Sequence, residues 1–108
     1  MATTYKVLGQ SNPAATTDTT LYTVPAATST VVSSITVANL GTTGTYRIAI
    51  RPGGASIANQ HYLVYDLSLN ANDTITFTLG ITLAATDVIT VRASNTSFAF
   101  SAFGSELT

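Results

Sequence analysis

His61 is the single histidine of this 108-residue chain. A Ser-His-Asp relay would have to be built on it, with Asp66 or Asp73 orienting the ring. No Gly-x-Ser-x-Gly elbow accompanies it. Ten serines make a serine near His61 uninformative, so His61 reads as a histidine at the start of a strand. Asp18, Asp66, Asp73 and Asp87 are too dispersed for a calcium loop, which needs alternate acidic positions within one short segment. Asp73 and Asp87 each directly precede an apolar run, where an aspartate carboxylate bonds backbone amides in a turn. Gly53-Gly54 follows Pro52 and lacks the Gly-Lys-Ser/Thr of a phosphate loop, so it reads as the turn ending a strand. Cysteine is absent, which excludes disulfides, thiolate zinc sites and a cysteine nucleophile. The expectation is a non-enzymatic chain with no cofactor and no metal.

Arg47, Arg51 and Arg92 are the remaining polar candidates. Arg47 and Arg51 project from one face of one strand, about 13 Å apart at the usual rise. In a chain with so few charges they are candidate interface contacts. Tyr22, Tyr46, Tyr62, Tyr65, Phe98, Phe100 and Phe103 are chiefly core residues or, in a second reading, a sugar-binding platform. Tyr62 and Tyr65, an odd number apart, are expected on opposite faces of their strand. Asn72-Asp73-Thr74 and Asn95-Thr96-Ser97 match the glycosylation sequon by chance.

Charged residues make up 8% of the chain, against about 25% in ordinary domains. The net charge is −1, which excludes phosphate-driven nucleic-acid binding and polybasic attachment to a membrane. No apolar run is long enough to span a bilayer, and no signal peptide is visible after Met1. There are 21 threonines, residues that suit the solvated face of a strand.

The elements that must carry these residues are short strands. Alternation is clearest in residues 45–51, with Tyr46, Ile48 and Ile50 inward, and in residues 74–79, with Ile75, Phe77 and Leu79 inward. Further strands are expected at 5–9, 21–24, 30–39, 61–67, 88–93 and 97–103, with Val31, Ile35 and Val37 on one face of the strand 30–39. Ile81 and Leu83 should plug one end of the core. Residues 55–60 have room for one short turn at most. Seven to eight strands at roughly ten-residue spacing define an all-β, antiparallel two-sheet sandwich of jelly-roll or immunoglobulin-like kind. Residues 1–20 are expected as an N-terminal strand and extended arm, and 21–108 as the sandwich domain.

Several phrases carry a resemblance: Leu21-Tyr22-Thr23-Val24-Pro25-Ala26, Val32 to Asn39, Tyr46 to Ala55, the block from His61 to Ser94, and Phe100 to Glu106. Together they resemble small virion structural proteins of tailed bacteriophages, compact β-sandwiches on capsids or tails. The resemblance implies a structural protein of the virion; the expected role within it is capsid decoration (cement), in which copies bind the outer shell and bridge capsomers. A tail, baseplate or fibre component and a carbohydrate-binding module are the alternatives. The expected partners are further copies of the chain, as a homotrimer, and the major capsid protein or another virion protein. The expected location is the virion. Weak charge supports this independently, because a free monomer usually keeps roughly 25–35% of its surface charged and blunts its sheet edges with Lys or Pro.

Overall fold

A computed structural model describes residues 2–108. Two antiparallel sheets pack face to face, as the threonine-rich alternation requires. The strands are β1 (Thr3–Ser11), β2 (Thr19–Thr23), β3 (Ser29–Asn39), β4 (Gly44–Arg51), β5 (Tyr62–Leu69), β6 (Thr74–Phe77), β7 (Ile81–Leu83), β8 (Val88–Ala93) and β9 (Phe98–Leu107). The front sheet runs β1-β9-β3-β6, with β7 also on β3, and the back sheet runs β2-β8-β4-β5. Two single 3-10 turns, Pro52–Gly54 and Asn59–His61, fill the β4–β5 connection. The expected sandwich is present, with nine strands among the described residues instead of seven or eight. The additional one is β7, the three-residue end plug around Leu83.

The core is built from alternate residues of both sheets. Ile48 and Tyr46 from β4, Ile89 and Val91 from β8, and Phe98, Phe100 and Ala102 from β9 are all buried. Tyr46 packs against the Phe98 and Phe100 rings at 6.0 and 6.2 Å. Ile50, Ile75 and Phe77 are only half-buried at the margin of this core, and Leu79 lies beyond the end of β6, exposed. Gly80, with φ 61°, turns the chain away before the alternation can continue.

Bulges explain where the sequence pattern misleads. β3 carries one extra residue, Ser33, between Val32 and Ser34. The extra residue flips the alternation, so Thr30 and Val32 face inward before it and Ile35 and Val37 after it. Val31, expected beside Ile35, therefore points outward and is 38% exposed. The pairing of β1 with β9 shifts at Leu8, and that of β2 with β8 at Leu21. These two bulges meet: a Cβ on Gly9 would collide with the Leu21 carbonyl oxygen.

The N-terminal segment corrects the arm expectation. Thr3–Ser11 is a full strand of the front sheet, paired with β9 from Thr3↔Leu107 to Ser11↔Phe100. Leu8 enters the core, and Thr16 N–H donates to the Ala93 carbonyl. Residues 10–20 include the polar loop expected there, but it is tied to the sandwich. A polar clamp closes the core at this end: the Tyr22 hydroxyl donates to Glu106 Oε2 at 2.5 Å and lies 2.8 Å from Thr30 Oγ1. Lys6 Nζ reaches Glu106 Oε1 at 3.4 Å. Burial, reinforced by the adjacent Glu106 carboxylate, pushes the Tyr22 hydroxyl up to about 12.

Candidate functional site

Arg47, Arg51 and Arg92 come together on the outer face of the back sheet. Arg47 on β4 is the cross-strand partner of Arg92 on β8, and Arg51 lies four residues along β4. Each is engaged within its own chain. Arg47 donates from Nε to Asp66 Oδ1 at 2.7 Å and from an Nη to Oδ2 at 3.2 Å, a bidentate pair. Arg92 lies 3.6 Å from Asp18. Arg51 donates to Thr90 Oγ1 and to the carbonyls of Gly54 and Ala55, holding the turn that follows its strand. The face thus reads Asp18–Arg92–Arg47–Asp66 across the sheet, with charges matched.

Asp66 reaches Arg47 because of a bulge. Tyr46 pairs with Leu67 and Ile48 with Val64, so two β5 residues oppose the single Arg47. Asp66 takes the left-handed conformation there, φ 53°, which a short polar side chain tolerates. The Arg47 hydrogen bonds hold the Asp66 carboxyl below the usual carboxylate range, and the same bonds raise the Arg47 guanidinium. A further bulge at Leu63 rotates the strand, so Tyr62 and Tyr65 meet edge to face at 4.8 Å instead of pointing apart. The Arg47 guanidinium stacks over Tyr65, 4.1 Å from its ring centre. Beside this pair lies an open hollow of about 360 Å³ lined by Asn59, Tyr62 and Tyr65.

His61 ends the second 3-10 turn, immediately before β5, and its Nδ1 accepts the Ala58 N–H at 3.1 Å. That ties the ring into the turn. Asp73 accepts the Thr74 N–H, and Asp87 accepts those of Gly53 and Ala84. The Asp87 carboxylate thereby fastens the Pro52–Gly54 turn to the turn before β8. Among the described residues, no group of three or more His, Asp or Glu side chains stands together as metal ligands would.

The outer face of the front sheet is chemically different. Register places Tyr5, Val7, Gln10, Ala99, Ser101, Phe103, Ser105, Val31, Thr36, Ala38, Thr74 and Thr76 on it, with no charged side chain among its strand residues. Its β1 end is apolar: Tyr5 is 84% exposed and Val7 49%. A groove of about 330 Å³ lies there, lined by Tyr5, Val31, Phe103 and two serines, with Lys6 of the Lys6–Glu106 pair at its side. No protein-family model matches the chain, and no curated protein matches it in sequence.

Sequence reasoning found the three arginines but not their partners. An aspartate between Tyr65 and Leu67, inside an apolar strand, was the available signal, because Asp is disfavoured in strands and favours local turns. Tyr5 carried no signal beyond the short strand around it. Its exposure depends on the bulge at Leu8, which alternation does not encode.

Proposed function

We propose that this chain is a non-enzymatic structural subunit of a virion, a decoration protein that lies on the outer shell and bridges capsomers. The carrying observation is the segregation of charge. All three arginines share the back face, while the front face presents hydroxyls, methyls and an apolar end. The molecule measures 43 × 27 × 20 Å. Its broad face exceeds the roughly 800 Å² that one partner contributes to a standard stable interface. An uncharged face of this size can seat on a protein surface without burying unpaired charge, which is the costly term in such contacts. The resemblance to small phage virion proteins supports the same reading, and a tail, baseplate or fibre position would use the same face.

Carbohydrate binding is the second reading, favoured by the hollow beside Tyr62 and Tyr65, where a pyranose ring could stack. The two readings separate in one experiment. Purified chain is mixed with shells assembled from the major capsid protein alone and sedimented. Saturable binding at a fixed ratio is expected, weakened by Ala38→Glu on the front face and unaffected by Arg47→Ala on the back. No binding to shells, together with retention on a glycan array, would overturn the first reading in favour of the second.

A further inference from the structure

We propose that Tyr5 on the β1 edge of one copy docks into the Asn59–Tyr62–Tyr65 hollow on the β5 edge of a second copy, joining copies head to tail. The inference rests on the structural-subunit reading and names the contact between subunits.

Tyr5, at 84%, is the most exposed large apolar side chain among the described residues. All five residues from Thr3 to Val7 are exposed, so the ring stands clear of its own sheet. The hollow offers what a tyrosine would bind. Two phenol rings stand edge to face at 86°, leaving ring edges and faces for a third aromatic, and aromatic groups prefer such tilted contacts. The exposed Asn59 amide can bond the incoming phenol hydroxyl. A volume of about 360 Å³ accommodates one aromatic side chain.

The apolar surroundings match as well. Val7 and Val31 flank the knob, and Leu63, next to Tyr62 in the chain, is 47% exposed. The one ion pair at the hollow, Arg47–Asp66, is already closed, so the contact buries no unpaired charge.

Position decides the geometry. β1 ends one side of the front sheet, and β2, not β5, packs beside it, while β5 ends the opposite side of the back sheet. Knob and hollow therefore lie on opposite edges of the subunit. A contact between them is heterologous, the kind that generates a ring when the rotation closes. Pairing two β1 edges about a two-fold axis would set Tyr5 near Tyr5 and leave both hollows empty.

The test is sedimentation velocity on the full chain and two variants, with circular dichroism as the fold check. Tyr5→Ser removes the knob and Tyr62→Ala opens the hollow. If Tyr62→Ala loses the native spectrum, Asn59→Arg on the exposed turn obstructs the hollow instead. The wild type should associate, and each variant alone should associate at least about tenfold more weakly, the loss typical of a central interface tyrosine. An equimolar mixture of the knob and hollow variants should form a one-to-one heterodimer, because each supplies the half the other lacks. A monomeric wild type, variants that associate like it, or a mixture that stays monomeric would overturn the proposal. A monomeric wild type that still binds shells would overturn this contact alone and leave the structural role standing.

Discussion

Asp66 combines backbone and charge in one residue: its left-handed backbone makes the bulge, and the bulge delivers its carboxylate to Arg47. Because its folded pKa lies below the usual carboxylate range, the pair's contribution is present above about pH 4 and lost as the pH falls through the folded value. Asp66→Asn should flatten the acid limb of a stability-versus-pH curve, read by urea denaturation; an unchanged limb would mean the pair is fully screened. Tyr22 acts at the other extreme. Its folded pKa is raised to about 12, so its contribution is present below about pH 10 and lost as the pH rises towards 12. Tyr22→Phe should reduce the alkaline loss of stability, and a tyrosinate absorbance titration should show one late-ionising group in the wild type that this variant lacks. Gly104 has a steric role. A Cβ there would collide with the Val31 carbonyl across β3, so Gly104→Ala should cost about 1–3 kcal/mol or more in chemical denaturation.

At the scale of elements, alternation was legible wherever a strand keeps a constant phase. β4 and β8 read correctly because they pair in unbroken register from Tyr46↔Ala93 to Arg51↔Val88. Phase was lost at the bulges of β1, β2, β3 and β5, since an extra residue leaves no mark in a binary apolar pattern. That loss hid Val31's outward turn, the meeting of Tyr62 with Tyr65, and the exposure of Tyr5. The run of residues 10–20, which holds no large apolar side chain, made the N-terminal strand look separable from the sandwich. With Leu8 in the core and β9 covered by β1 along its length, deleting residues 1–11 should abolish the cooperative thermal transition, not leave a folded sandwich. Two phenylalanines grade the core. Phe100→Ala, at a fully buried ring, should cost about 3–5 kcal/mol, and Phe77→Ala, at a half-buried one, distinctly less. Equal losses in denaturant titrations would mean that β6 is as central as β9.

For the whole molecule, few charges and long sheet edges had pointed to a chain whose surface is completed by neighbours. The structure adds a direction to that argument. The arginines lie on one broad face and the uncharged surface on the other, and exposed apolar side chains stand on both edge strands, Tyr5 and Val7 on β1 and Leu63, Tyr65 and Leu67 on β5. A subunit of this design would lie flat on a shell, meet its neighbours edge to edge and turn its arginine face to solvent. The proposed head-to-tail contact uses one knob and one hollow per subunit and leaves the part of the front face around Thr36, Ala38, Thr74 and Thr76 for the shell. The central claim, the proposed place on a virion, is tested most directly by an electron cryomicroscopy map of capsid shells saturated with the purified chain. The account predicts density for this sandwich at ordered positions on the outer shell, front sheet inward and Arg47, Arg51 and Arg92 outward. Particles that lack the chain altogether, or hold it with the arginine face against the shell, would contradict it.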